Sequence, residues 1–142
     1  MAFFRRGRNN DRINGTRGRD HVVGGAGNDH LNGKGGSDLV SGGPGNDHVS
    51  GGTANDTLKG GTGRDVFVFH NGDGFGDLVR DYVDGVDRFD IPTSVFLPSG
   101  QAYSGPEGTG LVVTYHDAAG FNSGSFLVLG YSLLQFSTDD FF

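Results

Sequence analysis

Seven aspartates recur at intervals of nine residues, at Asp11, Asp20, Asp29, Asp38, Asp47, Asp56 and Asp65. Each follows a glycine-rich stretch and stands two places before an apolar residue. The most regular copies read Gly24-Gly25-Ala26-Gly27-Asn28-Asp29-His30-Leu31-Asn32 and Gly42-Gly43-Pro44-Gly45-Asn46-Asp47-His48-Val49-Ser50. A fixed short period constrains a chain more than local propensity does, because like turns must stack on like turns. Here that stacking sets carboxylate on carboxylate. Such an arrangement is unstable without a cation.

The copies begin at Arg6, Gly15, Gly24, Gly33, Gly42, Gly51 and Gly60, occupy residues 6–68, and hold 17 of the 28 glycines. The apolar position is filled by Ile13, Val22, Leu31, Val40, Val49, Leu58 and Phe67. One inward apolar residue between mostly small or polar neighbours describes a very short strand. The glycine half of each copy is a turn. A turn plus a strand reverses the chain, so two copies form one coil of 18 residues. Copies of one parity then stack at the strand spacing of about 4.8 Å. Ile13, Leu31, Val49 and Phe67 should line one sheet, with Val22, Val40 and Leu58 facing them from the other. The expected fold is all-β, a parallel β-roll over residues 1–68.

Residues 69–142 lack the period and hold nine of the twelve phenylalanines. Strands are expected at 66–69, 78–83, 88–91, 111–115 and 126–129, separated by Gly, Asp, Ser and Pro turns. A solenoid end exposes unpaired strand edges, so this half reads as a β-rich C-terminal cap.

The net charge of −6 argues against nucleic acid and anionic membranes as partners. With no cysteine there are no disulfides or thiolate metal sites. No apolar run is long enough to span a membrane, and Met1-Ala2-Phe3-Phe4-Arg5-Arg6 lacks the apolar core of a Sec signal.

Calcium is a hard ion that takes six to eight oxygens at about 2.3–2.6 Å from carboxylates and backbone carbonyls. Glycine turns offer unobstructed carbonyls, and aspartate adds charge. The coil arithmetic pairs Asp11/Asp29, Asp29/Asp47 and Asp47/Asp65 on one edge, with Asp20/Asp38 and Asp38/Asp56 on the other, which permits up to five interior sites. Zinc is disfavoured because cysteine is absent and histidine does not recur at ligand spacing. Magnesium resists exchanging its waters for a carbonyl cage. An extracellular module binding at roughly 0.1–1 mM gains about 1.4–2.7 kcal/mol per site at about 10 mM calcium, so five sites supply roughly 7–14 kcal/mol. That equals the stability of a whole domain. At submicromolar calcium the contribution vanishes, so the repeats should be disordered inside a cell and fold outside it.

These copies resemble the RTX (hemolysin-type) calcium-binding nonapeptide repeat, Gly-Gly-x-Gly-x-Asp-x-(apolar)-x. The resemblance implies calcium as the ligand, and implies backbone carbonyls at the second and fourth positions as further ligands. On this chain those are Gly25, Gly27, Gly43, Gly45, Gly61 and Gly63. The second half resembles the C-terminal region of serralysin-like proteases and alginate epimerase modules, through Arg64-Asp65-Val66-Phe67-Val68-Phe69, Asp77-Leu78-Val79-Arg80-Asp81-Tyr82 and Asp87-Arg88-Phe89-Asp90-Ile91. Asp77, with Asp73, then resembles a further calcium ligand near the cap. The ending Asp139-Asp140-Phe141-Phe142 resembles the terminus of type I secretion substrates, which implies the type I machinery as a partner and an extracellular location.

Departures from the pattern gather on one edge, where Thr16, Lys34 and Ala54 replace glycine. Ala54 costs about 1–2 kcal/mol if its position needs left-handed φ. The tighter sites are therefore expected on the Asp29/Asp47/Asp65 edge, and the first copy, with Arg6, Arg8 and Asn9, is expected to fray. His30 and His48 read as a solvated surface pair, and the six arginines of residues 5–19 as a solvated or charge-screening end. For catalysis the chain offers no His-Glu-x-x-His, no Gly-x-Ser-x-Gly and no cysteine, and Glu107 is its one glutamate. No catalytic residue is assigned. Two other readings stay open. One is a calcium-dependent polysaccharide-binding module contacting glycan through Tyr103, Tyr115, Tyr131 and the basic start. The other is the non-catalytic C-terminal piece of a larger RTX protease or toxin.

Overall fold

The computed structural model describes residues 1–70, 73, 75–91, 99–105, 108–116 and 123–130. Seven of the expected strands follow the repeat. They are β2 (Arg12–Asn14), β3 (Asp20–Val23), β4 (His30–Gly35), β5 (Leu39–Pro44), β6 (His48–Thr53), β7 (Thr57–Thr62) and β8 (Val66–Val68). Another strand, β1 (Ala2–Arg5), precedes the first repeat, while β9 (Phe75–Val79), β10 (Arg88–Asp90), β11 (Ser99–Gly105), β12 (Gly108–His116) and β13 (Ser123–Leu129) follow the last.

Alternate strands go to alternate sheets, as the 18-residue coil requires. Sheet I runs β1-β3-β5-β7-β9-β13-β12-β11, and sheet II runs β10-β8-β6-β4-β2. All pairs up to β9 and β10 are parallel. The inward rows match the expectation. Ile13, Leu31, Val49 and Phe67 are in register in sheet II, and Val22, Val40 and Leu58 in sheet I. Every one of these side chains is buried. Each layer contributes one side chain per sheet, so the roll has a narrow core and relies on its turns.

The parallel pairing does not stop at residue 68. β9 adds Val79 beside Leu58, and β10 adds Phe89 beside Phe67. The connections leading to them are longer than a repeat allows, but the Asp-x-apolar triplet persists in Asp77-Leu78-Val79 and Asp87-Arg88-Phe89. At the other end, β1 places Phe4 beside Val22. The first copy does not fray: Arg6 N–H donates to Val23 O at 3.1 Å, and Ala26 N–H to Gly7 O at 2.8 Å. Backbone ladders to the second rung hold it although Asn9 stands where other copies have glycine.

Beyond β9, sheet I continues through β13, parallel to β9, and then turns antiparallel through β12 and β11. Phe126 enters the core here, with its ring stacked on Phe69 at 4.1 Å and 4.9 Å from Phe89. Tyr82 stacks on Phe89 at 4.4 Å. This aromatic cluster replaces the one-residue layers of the repeats with bulk. It supplies the hydrophobic mass the glycine-rich turns lack. Sheet I ends at β1 on one side and sheet II at β2, so both outermost strands of the N-terminal end keep one unpaired edge among the described residues.

Candidate calcium ladders

Every repeat aspartate lies at the mouth of a strand, where the turn hands over to the apolar residue. One carboxylate oxygen has the same task in each rung: it accepts the amide of the aspartate 18 residues earlier. Asp11, Asp29 and Asp47 donate to Oδ1 of Asp29, Asp47 and Asp65 at 2.7, 2.7 and 2.9 Å. On the opposite edge Asp20 and Asp38 donate to Oδ1 of Asp38 and Asp56, both at 2.7 Å. The five pairs expected from the period are thus the pairs the fold brings together.

The other oxygen differs. Oδ2 of Asp29, Asp38, Asp47, Asp56 and Asp65 is buried and has no hydrogen-bond partner. A buried anionic oxygen without a partner costs several kcal/mol in a real protein. The cost is visible in the acidities. Burial, then like charge from neighbouring rungs, pushes Asp38, Asp47 and Asp65 up to about 6, and Asp56 up to about 7. The orphaned oxygens ask for a cation. Among the described residues no three His, Asp or Glu side chains converge on one point, so an ion here must draw most of its ligands from the main chain.

The main chain is shaped to supply them. Gly25, Gly27, Gly43, Gly45, Gly61 and Gly63 all have positive φ, between 109° and 143°. A Cβ at Gly43 or Gly61 would strike the carbonyl oxygen of Gly25 or Gly43, and one at Gly45 or Gly63 that of Gly27 or Gly45. Each of these carbonyls therefore points at the turn of the next rung, where an inter-rung ion would sit. The other edge uses the same geometry with different residues. Lys34 (φ 79°), Gly36 (91°), Gly52 (95°) and Ala54 (88°) take the second and fourth positions, and the Lys34 carbonyl faces Gly52. The sequence pattern could have located these main-chain donors, because position within the repeat matters more than residue type.

Asp20 is an exception. Its Oδ2 accepts the Thr16 amide at 2.6 Å and the Thr16 hydroxyl at 2.7 Å. Burial raises this carboxyl, but those two bonds and the Ala2 amide outweigh it and hold it below the ordinary value. Thr16 stands at a repeat position where glycine is usual, and it does locally what an ion would do elsewhere. Asp11, at the head of the other ladder, is only half-buried.

Both ladders continue past the repeats. Asp56 N–H donates to Asp77 Oδ1 at 2.8 Å and Asp65 N–H to Asp87 Oδ1 at 3.0 Å. Burial, with Asp56 and Asp73 nearby, lifts Asp77 to about 7. Asp73 is buried beside them, its Oδ2 accepting the His70 amide. Asp81 and Asp87 were not singled out as site residues by spacing. Asp81 accepts the amides of Gly60 and Gly61 at 2.9 and 3.0 Å, and Asp87 Oδ2 accepts that of Val83 at 2.8 Å. In the inner rungs the equivalent amides, Gly24 and Gly25, donate to the carbonyls of Ser41 and Gly42. The Asp81 carboxylate thus takes the place of a missing rung.

A sequence profile for the RTX calcium-binding nonapeptide repeat (four copies) matches residues 7–40 and 41–75. Residues 7–75 belong to the RTX calcium-binding repeat family. The solved R3 subunit of the mannuronan C5-epimerase AlgE6 from Azotobacter vinelandii is 27% identical, matching 95% of this chain and 78% of that one at a TM-score of 0.51. The R2 subunit of the same epimerase is 22% identical, matching 97% and 90% at a TM-score of 0.61. The extracellular lipase LipA of Serratia marcescens matches at 15% identity over 94% of this chain and 38% of that one, with a TM-score of 0.47. No curated protein sequence matches the chain. The RTX repeats bind calcium, and the all-β parallel roll is the fold that holds it.

Of the other expected residues, Tyr103 and Tyr115 lie on β11 and β12, whereas Tyr131 and Asp139-Asp140-Phe141-Phe142 fall outside the described residues.

Proposed function

We propose that this RTX roll is a calcium-gated folding module, non-catalytic in itself, that leaves the cell unfolded through a type I system and folds outside. The reading rests on one observation above all: five buried aspartate oxygens without partners, stacked in two files. The ligands assigned to the ions are the carboxylates of Asp29, Asp38, Asp47, Asp56 and Asp65. The carbonyls of Gly25, Gly27, Gly43, Gly45, Gly61 and Gly63 join them on one edge, and those of the corresponding positions on the other. Asp11, Asp20 and Asp77 serve the ladder ends. Bound calcium supplies positive charge and replaces repulsion between rungs with shared ligands. Without it the glycine turns have too little apolar contact to offset their backbone entropy. The division of labour proposed along the chain is a roll that senses calcium and a C-terminal β cap that closes it and bears the export signal.

Far-ultraviolet circular dichroism during a calcium titration tests this, with magnesium as the control. The sheet spectrum should grow cooperatively with calcium and not with magnesium. A chelator-treated chain that keeps its sheet spectrum and melting point overturns the proposal.

A further inference from the structure

The outer face of sheet II, away from both ladders, carries two straight rows of polar side chains. Arg12, His30 and His48 are in register on β2, β4 and β6, and Asn14, Asn32 and Ser50 form the row beside them. The imidazoles of His30 and His48 stack at 4.2 Å with 14° between their planes, so their nitrogen-bearing edges, not their faces, are turned outward. The rows floor a concavity of about 290 Å³ that His70 and Asp90 also line. This is at the small end of ligand clefts, as suits one unit of a longer chain.

The chemistry narrows the ligand. Arginine presents a planar fork that pairs with carboxylates, and the imidazole edges beside it add further polar contacts. Asparagine and serine match hydroxyls, being both donors and acceptors. The two rows therefore sort an acidic group to one side and neutral hydroxyls to the other, and parallel strands repeat that sorting about every 4.8 Å. A lipid would find little apolar surface here. A transition metal would need three side-chain ligands to converge, and among the described residues none do so.

We infer that this face of sheet II is a binding groove for a linear acidic polysaccharide of the uronate class, lying along the roll axis with its carboxylates toward Arg12, His30 and His48 and its hydroxyls toward Asn32 and Ser50. The groove exists only when the roll is folded, so it rests on the calcium reading above.

Isothermal titration of the full calcium-loaded chain with short oligomannuronate, against a neutral cello-oligosaccharide of equal length, tests the groove. Circular dichroism on the same samples reports separately whether the roll has folded. The acidic oligosaccharide should bind and the neutral one should not. Arg12→Gln and His48→Ala should each weaken binding about tenfold, the loss of one charge-assisted contact. Lys59→Gln, on the outer face of sheet I, should leave binding unchanged. A folded, calcium-loaded chain that ignores the uronate overturns the inference, as does equal weakening by all three substitutions. Loss of the folded spectrum at saturating calcium would instead overturn the calcium reading.

Discussion

The two edges of the roll are built from one repeat and solve the same problem unequally. On the edge of Asp29, Asp47 and Asp65, glycine fills every left-handed position of the second to fourth turns. A second ladder also braces that edge. Asn28, Asn46 and Arg64 donate their amides to the side chains of Asn10, Asn28 and Asn46 at 2.8, 2.9 and 2.8 Å. The edge of Asp20, Asp38 and Asp56 forces Lys34 and Ala54 into positive φ, and Arg19, Ser37 and Asn55 occupy the bracing positions. It also satisfies its first aspartate with Thr16. The backbone path is evidently imposed by rung stacking, since residues that resist it adopt it anyway. What varies between edges is the strain stored and the oxygens left for an ion.

Removing calcium puts both edges to the strongest test. With about five ions each contributing about 1.4–2.7 kcal/mol near 10 mM calcium, chelation should cost roughly 7–14 kcal/mol and abolish cooperative melting by calorimetry. A chelated chain that melts cooperatively at the same temperature would show that neither edge needs an ion.

Single aspartates should then rank the edges. Asp47→Ala should remove ion binding worth about 1.4–2.7 kcal/mol at that calcium concentration, and Asp38→Ala should weaken affinity less. Asp20→Ala should leave the number of bound ions unchanged, because Thr16 already occupies the oxygen an ion would use. Ion counts by equilibrium dialysis decide this. Fewer ions in Asp20→Ala than in Asp47→Ala would reverse the comparison.

Acidity acts on both edges in the ion-free protein. The carboxyls raised to about 6–7 hold protons in the folded chain that the unfolded chain, near 3.8, releases. Their contribution to stability is complete below the unfolded value and is lost as pH rises through 6–7. The chelated protein should therefore melt at a higher temperature near pH 5 than near pH 8, with calcium affinity moving the opposite way because protons compete for the same oxygens. A chelated melting point that rises with pH over this range contradicts the burial of those carboxyls.

Relief of strain is the smallest effect. Ala54→Gly should stabilise the calcium-loaded roll by about 1 kcal/mol, the left-handed penalty less the entropy glycine gains when unfolded. The matching Ala26→Gly, at a position without positive φ, should destabilise slightly. Calorimetric melts of the two variants at saturating calcium compare them directly.

Much of this was legible in the nine-residue period. The inward rows, the alternation between sheets and the pairing of Asp29 with Asp47 all follow from coil arithmetic and need no knowledge of side-chain conformation. The rungs of β9 and β10 were read as ordinary strands because their amide-to-carboxylate bonds span 21 and 22 residues instead of 18. Only the Asp-x-apolar triplet marks them. β1 has no glycine turn before it, and β11, Ser-Gly-Gln-Ala-Tyr-Ser-Gly, has too little apolar character to announce itself. The part played by Thr16 was hidden for another reason. Whether a hydroxyl stands in for an ion depends on where its rotamer points, which spacing alone does not reveal.

The carboxylate of Asp81 gives the stack a direction. It holds two amides that another coil would have to claim, so lengthening at that end means evicting a charged group from a filled seat. The free margins of β1 and β2 offer no such obstacle. Evolution can add or delete coils there with little redesign, adjusting the capacity for ions without disturbing the aromatic plug at the far side.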